Sequence, residues 1–313
     1  MLHIVVVSGL CNRLFVIISA LRYCRQTQQE LKIYWNKPVA RRGLPYGPGN
    51  PKDDEHLHYF FKNLPNVYLS TWNQSIIRNL ISEGHTMLYD GSLIIPEYME
   101  RDKKGNLIFP SNFKSLIDQP LNFDRRINTI INMSTKPFGF LEDPMNLHID
   151  YPTEVADKKY KTDYEKELSK FARKLSPIDS ILKEISQQKM KLFKDPKINR
   201  VGIHIRRSDL RTNVSDQELF DILARYVSYF KTNFYIFVCS DDYQLECRLV
   251  KQFNLLSYND ESKTFNNLSG VQKAIVDLYL LSSCQIILGT KGSSFSYFAW
   301  MLSNDTTLYE VHS

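Results

Sequence analysis

Two adjacent arginines, Arg206 and Arg207, follow a short apolar run that reads Val-Gly-Ile-His-Ile over residues 201–205. The β-branched residues of that run predict a strand, and α/β proteins place ligand-contacting groups at the ends of such strands. A guanidinium offers a fixed fork of donors that matches two phosphate oxygens, and it stays charged at any working pH. The pair therefore indicates a diphosphate site, although an edge strand with two solvated arginines in surface ion pairs gives the same pattern.

Two further polar loops follow apolar runs in the second half of the chain. Ser240-Asp241-Asp242 comes after the run 234–239, and a loop over 290–296 comes after the run 285–289. In a parallel sheet these strand ends lie on the same edge as the arginine pair. The loop at 290–296 also opens a helix, whose free backbone N–H groups favour an anion. Each loop taken alone is explained equally well by a helix cap.

A similar loop stands near the start of the chain. The run Leu2–Val7 predicts a first strand, Ser8-Gly9-Leu10-Cys11-Asn12-Arg13 follows it, and apolar residues at helical spacing predict a helix over 14–24. Gly9 alone is explained by a tight turn. Two glycine-containing helix starts together with a double arginine predict an anionic ligand held between two domains.

The elements that must position these loops alternate between strand and helix, which is typical of an α/β fold. A second strand is predicted over 31–35, and residues 52–150 are interpreted as an α/β half with irregular loops. The charged segment Asp157–Lys194 is predicted to be helical and to connect two halves, with Ser176 capping a new helix that begins at Pro177. The second half is predicted to contain strands at 200–206, 234–239 and 285–289 and helices at 215–230, 243–253, about 270–283 and 293–303.

Composition bounds the class of protein. The chain has 313 residues with 43% hydrophobic and 24% charged residues, as in an ordinary globular protein of one large or two medium domains. The net charge of +6 is spread over Lys-rich helices and does not indicate nucleic-acid binding, and no 18-residue apolar segment predicts a membrane span. The N-terminal residues are interpreted as a strand rather than as a signal peptide.

The cysteines predict the redox environment. Their odd number and scattered positions show no zinc spacing and no tight pair, so free thiols and a reducing, cytoplasmic location are expected. The five are Cys11, Cys24, Cys239, Cys247 and Cys284.

The motifs together resemble those of the α1,2-, α1,6- and protein O-fucosyltransferase superfamily. Ile-His-Ile-Arg-Arg-Ser-Asp at 203–209 looks like its His-x-Arg-Arg signature, and Gly-Leu-Cys-Asn-Arg-Leu at 9–14 is similar to its opening Gly-x-x-Asn-Arg segment. The segments 237–242, 276–278 and 289–300 resemble its later motifs in order and spacing. Ser208 stands where many α1,2 members have glycine, and Cys11 stands where glycine is commoner.

The resemblance implies an α/β fold of the GT-B type, with two Rossmann-like, doubly wound domains that face each other across a cleft. It places an N-terminal, acceptor-side domain at 1–175 and a C-terminal, nucleotide-sugar-binding domain at 176–313, and it leaves open whether the last helix packs back on the first domain. Residues 40–195 carry no motif that aligns with the family, so the acceptor is open.

The resemblance also implies roles for single residues. Arg206 would bind the β-phosphate of the donor, Arg207 would support the leaving group or the charge of the transition state, and His204 would position these groups or contact the nucleotide. The other donor contacts that it implies are Gly9, Asn12 and Arg13 from the first domain and Asp242, Asp277, Ser293, Ser294 and Phe295 from the second.

The implied reaction suits these residue types. Glycosyl transfer builds negative charge on the β-phosphate, and preorganised arginines and helix-terminal N–H groups stabilise such charge. A metal held by an Asp-x-Asp pair would do the same, but Asp241-Asp242 lacks that spacing, so no metal and no cofactor beyond the nucleotide sugar are predicted. Transfer to an acceptor hydroxyl would invert the sugar, and the general base is open among Glu142, Asp143 and Asp209.

Three functions are compatible with the sequence. The leading prediction is a metal-independent, inverting glycosyltransferase that moves L-fucose from GDP-fucose to a glycan hydroxyl. The second keeps the fold and uses another donor, such as a UDP- or GDP-linked pentose or deoxyhexose, and the third is a non-catalytic nucleotide- or glycan-binding module. Aromatic residues of the first half would stack on sugar faces or serve as ordinary core; they are Tyr34, Trp35, Tyr46, Tyr59 and Trp72.

Overall fold

A computed structural model of the chain shows two compact units, each built on a parallel β-sheet. The first unit contains residues 1–59 and 63–149, and the second contains residues 60–62 and 150–313. The structure describes residues 1–6, 9–35, 57–70, 79–80, 82–83, 86–89, 100–105, 107–108, 113–115, 129–133, 161–207, 215–258 and 268–311.

The sheet of the first unit has six strands in the order β3-β2-β1-β8-β4-β7, and all neighbours pair in parallel. Strand order reverses between β1 and β8, which makes a topological switch point where α/β proteins bind ligands. The elements are β1 (Leu2–Val6), α1 (Leu10–Thr27), β2 (Leu31–Tyr34), a 3₁₀ turn (Leu57–Tyr59), β3 (Val67–Ser70), β4 (Thr86–Tyr89), β7 (Phe113–Ser115) and β8 (Thr129–Met133), with an antiparallel pair of β5 (Glu100–Arg101) and β6 (Leu107–Ile108).

The sheet of the second unit has four parallel strands in the order β10-β9-β11-β12. Its switch point lies between β9 and β11, so the ends of these two strands border a single crevice. The elements are α2 (Asp163–Ala172), α3 (Asp179–Leu192), β9 (Asn199–Ile205), α4 (Asp216–Phe230), β10 (Phe234–Ser240), α5 (Tyr243–Phe253), α6 (Leu268–Leu281), β11 (Ile286–Thr290), α7 (Ser294–Leu302) and β12 (Thr307–Val311).

Local sequence explains why the helices of this unit begin where they do. Ser215 and Glu218 form a reciprocal capping box at the start of α4, and Thr162 and Glu165 form another at the start of α2. The apolar face of α4 then packs on the sheet through Leu219, Leu223, Val227 and Phe230, which share a core with the apolar side chains of β9 and β10. The alternating pattern of the sequence is thereby converted into a layered α/β unit.

The predicted α/β class with parallel sheets is confirmed, and the helix predicted to begin at Pro177 is wrong in its start. Helix α3 begins at Asp179 with Ile178 as its N-cap, and Pro177 instead forms an antiparallel bridge with Phe61. The amide of Lys62 donates to the Ser176 carbonyl at 2.8 Å, and the amide of Ile178 donates to the Phe60 carbonyl at 3.0 Å. A short strand-like pairing therefore occupies the place of the expected cap.

Helix α2, which the prediction included in the first domain, packs on α7 of the second unit. The Tyr297 hydroxyl donates to the buried Glu165 carboxylate at 2.5 Å, and the Ser169 hydroxyl lies 3.7 Å from the Met301 sulfur. Because these contacts join α2 to α7, the second unit begins earlier in the chain than residue 176.

Within the described ranges, none of the helices combines the length and the apolar character that a bilayer crossing requires.

Candidate functional site

The carboxyl ends of β9 and β11 are tied together at the switch point of the second sheet. The Arg206 amide donates to the Thr290 hydroxyl at 3.0 Å, and that hydroxyl donates to the His204 carbonyl at 3.1 Å. His204 is paired in register with Gly289 of the neighbouring strand. The predicted grouping of strand-end loops within one parallel sheet is therefore confirmed. The Thr290 hydroxyl also fixes the position of the Arg206 backbone amide.

The second arginine is held at both its backbone and its side chain. The Arg207 amide donates to Asp241 Oδ1 at 2.7 Å, and its guanidinium forms an ion pair with Asp216. The Arg207 side chain is 19% exposed, so it lies partly sheltered at the strand end. A partly sheltered guanidinium loses less of its field to solvent than one that stands free on the surface.

His204 is a neutral, buried residue beneath this edge. Its ring stacks on Phe295 with centroids 4.7 Å apart and planes 23° apart, and its Nδ1 lies 2.8 Å from the Ser296 hydroxyl. Burial, helped by the nearby Arg206 charge, lowers the pKa of His204 to about 3. The imidazole is therefore uncharged at neutral pH and serves as a packing and hydrogen-bonding group.

Helix α7 begins against the sheet in a way that only glycine permits. A Cβ placed on Gly289 would lie 2.5 Å from the Ser296 Cβ, so the helix approaches the strand closer than any side chain allows. Gly292 then turns the chain with a φ of +70°, a conformation that glycine adopts without steric cost. The motif at 289–296 is thus a tight strand-to-helix turn.

Ser293 occupies the N-cap of α7 without capping it. Its side chain makes no cap hydrogen bond, and its buried hydroxyl has no hydrogen-bond partner among the residues that the structure describes. Ser293 is 3% exposed and Ser294 is 6% exposed. A helix N-terminus with an unused, buried hydroxyl is chemically suited to a phosphate oxygen.

The two aspartates after β10 have separate tasks. Asp241 holds the Arg207 amide, whereas Asp242 caps α5 by accepting from the Leu245 amide at 3.0 Å. The capping alternative considered for this loop is thus realised by Asp242. Among the described residues, no group of three or more His, Cys, Asp or Glu side chains is placed to hold a metal ion.

A small pocket opens beside these strand ends. Asp277, which is 4% exposed on α6, lines it together with His204 and Phe295. One wall therefore carries a buried carboxylate and another carries the stacked aromatic pair. The remaining lining residues are Cys239, Ser240, Asp241, Gly270 and Ala274.

The candidate residues of the first unit lie at the start of α1. Gly9 is the N-cap without a side-chain cap, and a Cβ placed on it would meet no atom within 4 Å. The buried Arg13 guanidinium donates to the Trp35 carbonyl at 2.7 Å and lies 5.0 Å from the centroid of the Trp35 ring. Asn12, in the first turn, is half-buried. These Arg13 contacts join the start of α1 to the residue that follows β2.

The aromatic candidates of the first half divide by burial. Tyr34 and Trp35 are buried, which favours the core-packing alternative for them, and Tyr59 is 36% exposed. Tyr46 and Trp72 lie outside the described residues, as do the general-base candidates Glu142, Asp143 and Asp209.

Several residues of this site were missed by the sequence analysis. Thr290, Ser296 and Asp241 stand inside the quoted motifs, but the motifs do not say which hydroxyl or carboxylate reaches the neighbouring strand. Gly270 and Ala274 line the pocket on α6, where their small size leaves space. Because neither has a functional group, the sequence could not mark them as site residues. Asp216 is a first-turn acid after a serine cap, which by itself indicates only a helix start.

The fold is similar to those of solved fucosyltransferases, although no protein-family model and no curated protein sequence matches the chain. Fucosyltransferase NodZ from Bradyrhizobium superposes with a TM-score of 0.57 at 15% identity, over 96% of this chain and 93% of that one. A mutant of Arabidopsis thaliana FUT1 in complex with GDP gives 0.56 at 13% identity, over 99% and 70%. POFUT1 in complex with GDP-fucose gives 0.52 at 10% identity, over 99% and 97%.

These matches extend over nearly the whole chain and include both parallel sheets. The predicted resemblance to fucosyltransferases is thus confirmed at the level of the fold. The chain has the GT-B fold of the fucosyltransferases.

Proposed function

We propose that this chain is a metal-independent, inverting glycosyltransferase that moves L-fucose from GDP-fucose to a hydroxyl of a glycan acceptor. One observation carries the proposal: the paired arginines at the end of β9 belong to the same sheet edge as the unused Ser293 hydroxyl at the start of α7. Fixed cationic donors and a helix N-terminus together suit a diphosphate. The likeness of the fold to fucosyltransferases supports the same conclusion.

The reaction assigns a task to each group. The acceptor oxygen bonds to the anomeric carbon from the face opposite the diphosphate, the bond from that carbon to the β-phosphate oxygen breaks, and the acceptor proton passes to a base. Arg206 binds the β-phosphate in the ground state, and Arg207 stabilises the charge that grows as the bond breaks. Glu142, Asp143 and Asp209 remain the candidates for the base.

The proposed metal independence is supported by how the acidic groups of this loop are used. Asp241 is engaged with the Arg207 amide and Asp242 with the Leu245 amide, so both carboxylates already accept from backbone N–H groups. Charge neutralisation of the leaving diphosphate is thereby left to the guanidinium groups and to Ser293, Ser294 and the first N–H groups of α7.

The pocket supports guanine as the base. The buried Asp277 carboxylate can accept from both the ring N–H and the amino group of guanine, whereas uracil offers it a single N–H. Phe295, stacked on His204, provides a flat apolar surface for a base. A NodZ fucosyltransferase has been soaked with GDP-fucose, and POFUT1 binds the same donor in its crystals, which agrees with this choice.

The test is a panel of nucleotide sugars, with hydrolysis and transfer followed for each donor. GDP-fucose is expected to be consumed faster than GDP-mannose, UDP-glucose or a UDP-pentose, and GDP is expected to bind more tightly than UDP. Preference for another donor would move the assignment to the second function, and binding without turnover of any donor would favour a non-catalytic nucleotide-binding module.

The arginine assignment has a matched test. Arg206→Ala is expected to weaken GDP binding by about tenfold or more, because a charge-assisted contact to phosphate is lost. Arg225 is an exposed arginine on α4, and Arg225→Ala is expected to leave GDP affinity unchanged. Equal GDP affinity in the Arg206 variant and the parent protein would contradict the proposed role.

A further inference from the structure

Asp216 lies between two arginines next to the candidate site. Its Oδ1 forms the ion pair with the Arg207 guanidinium, and its Oδ2 accepts from the Arg248 guanidinium at 2.6 Å. The Asp216 side chain is 43% exposed and that of Arg248 is 54% exposed, so the chain Arg207–Asp216–Arg248 runs from the sheltered strand end outward to the surface.

Three elements of the second unit bring these three ion-paired side chains together. Arg207 follows β9, Asp216 is the first residue of α4 after the Ser215 cap, and Arg248 stands on α5 with its guanidinium 5.7 Å from the Phe220 ring. The N-terminus of α4 favours a carboxylate at Asp216 through its free N–H groups and dipole. The hydrogen bond from Arg248, with the charges of both arginines, keeps the pKa of Asp216 below its usual range.

We propose that Asp216 is a positioning residue for the transfer reaction, whose carboxylate fixes the direction of the Arg207 guanidinium while Arg248 holds that carboxylate from its other side. The inference rests on the proposed function, because it concerns the arginine assigned to the departing charge. Asp216 itself acts through Arg207 and contacts no part of the donor in this scheme.

The need for such a residue follows from the length of the arginine side chain. The Asp241 contact acts on the Arg207 backbone amide, and a side chain with four rotatable bonds needs a contact at its far end to fix its direction. Restricting a rotamer-rich side chain costs conformational entropy, and a preorganised group bears that cost before the substrate binds. The ion pair with Asp216 supplies this restriction.

Arg248 explains why the site keeps a net positive charge. One guanidinium and one carboxylate cancel, and a neutral pair would give a weak field at a departing phosphate. With Arg248 on the far oxygen, the three groups carry two positive charges and one negative charge, so a net charge of +1 remains. The arrangement therefore combines a fixed direction with a retained positive field.

The Asp216→Asn variant separates positioning from simple charge effects, because the loss of positioning lowers turnover whereas the loss of a negative charge raises GDP affinity. Removal of a negative charge near an anionic donor strengthens GDP binding, whereas loss of the fixed guanidinium slows turnover. We expect kcat to fall about tenfold, which corresponds to 1.4 kcal/mol in the barrier, while the Kd for GDP stays equal or decreases. A purely structural residue would instead weaken binding, turnover and thermal stability together.

Asp221→Asn is the matched control, since Asp221 is an exposed acid on the same helix that accepts from the Gln217 amide at 3.0 Å. Its kcat and Kd are expected to equal those of the parent. Arg248→Gln is expected to lower kcat less than Asp216→Asn does, and the double variant should show little more loss than Asp216→Asn alone, since both act through one carboxylate.

Outcomes of these measurements separate this inference from the proposed function. A kcat for Asp216→Asn within twofold of the parent value, or parallel losses in GDP affinity, kcat and Tm, would overturn the positioning role. Absence of turnover with every donor in the parent protein would instead overturn the proposed function. In that case the side-chain Nε–H signal of Arg207 in ¹⁵N NMR decides the positioning role: exchange broadening or solvent averaging in Asp216→Asn supports it, and an unchanged signal overturns it.

Discussion

Ser293 and Thr162 both precede a helix, and only Thr162 caps it. The Thr162 hydroxyl accepts from the Glu165 amide at 3.2 Å, whereas the Ser293 hydroxyl makes no cap bond at the start of α7. A buried hydroxyl without a partner costs about 1–3 kcal/mol, so its retention at Ser293 has a reason other than stability. A phosphate oxygen of the donor supplies that reason in the proposed function.

Ser293→Ala is therefore expected to weaken GDP binding about fivefold without lowering the free energy of unfolding, because no folded-state hydrogen bond is lost. Thr162→Ala should do the reverse and cost about 1 kcal/mol of stability with GDP affinity retained. Isothermal titration with GDP and urea denaturation of both variants measure the two effects. A destabilised Ser293→Ala with parental GDP affinity would show that the hydroxyl serves the fold.

The charge state of His204 leads to a prediction about pH. Its folded pKa of about 3 lies below the ordinary value of 6.5, so the unfolded chain binds more protons than the folded one between these values. The free energy of unfolding therefore decreases as pH falls through this window, and His204→Gln should remove part of that slope. Urea denaturation of both proteins from pH 4 to 7 gives the difference, and parallel curves would contradict a neutral, buried imidazole.

At the scale of elements, α7 begins at the two serines proposed to contact the donor, and its neighbours position it on both sides. Gly289 lets it approach β11, and α2 clamps its other side through Glu165 and Tyr297. The amine of Lys161 also donates to the Ser303 carbonyl just past the end of α7, and its Nζ lies 5.1 Å from the centroid of the Trp300 ring. Displacement of this helix would move its N-terminus, and with it the groups proposed to contact the phosphates.

Gly289→Ala tests that dependence, because an added methyl group would collide with Ser296 Cβ. We expect a loss of about 1–3 kcal/mol in stability and a drop in GDP affinity of about tenfold. Gly202→Ala is the matched control: its methyl group would meet Leu281 Cδ1 at 2.5 Å, near the far end of α6. It should lower stability but retain GDP affinity, as measured by thermal unfolding and calorimetry. Equal GDP affinity in both variants would exclude a special role for Gly289.

Sequence pattern predicted most elements around the site because each strand there is a short β-branched run that ends in polar residues. The predicted helix 243–253 matches α5, and the predicted strand 234–239 differs from β10 by one residue. Strand β12 was missed, since Thr307–Val311 alternates weakly and gains its place only by pairing with β11. The cap at Ser176 was wrong because the pairing with Phe61 comes from a distant part of the chain.

The roles of single side chains were less accessible from sequence than the elements. Two adjacent aspartates, Asp241 and Asp242, have the same local pattern, yet one holds an arginine amide and the other caps a helix. Asp216 and Arg248 are 32 residues apart, and only the packing of α4 beside α5 makes them partners. Such assignments depend on tertiary distances that a one-dimensional pattern does not contain.

At the scale of the whole molecule, the prediction of free thiols is confirmed for all five cysteines, which the structure describes completely. Four are buried, and Cys247 is half-exposed. Burial raises the pKa of Cys24 and of Cys284 to about 12, so these thiols stay protonated and unreactive at neutral pH.

A thiol reagent such as Ellman's reagent is therefore expected to modify Cys247 first in the native protein, with the remaining thiols reacting only after unfolding. Mass spectrometry of the modified peptides identifies the site, and a Cys247→Ser variant should show almost no fast phase. A fast phase that persists in this variant would mean that a buried cysteine becomes accessible through local opening.

The pairing of Phe60–Lys62 with the segment before α3 has a consequence for chimeras that exchange one unit of this fold. These three residues come from the first part of the chain but belong to the second unit, and Phe60 and Phe61 are 0% and 2% exposed. In a chimera joined at a single crossover between residues 134 and 160, the second unit would receive residues 60–62 from the other parent. Two of these residues would have to fit the buried positions of Phe60 and Phe61. Exchange of the intact second unit between proteins of this fold therefore requires three crossovers, so that residues 60–62 are exchanged together with residues 150–313.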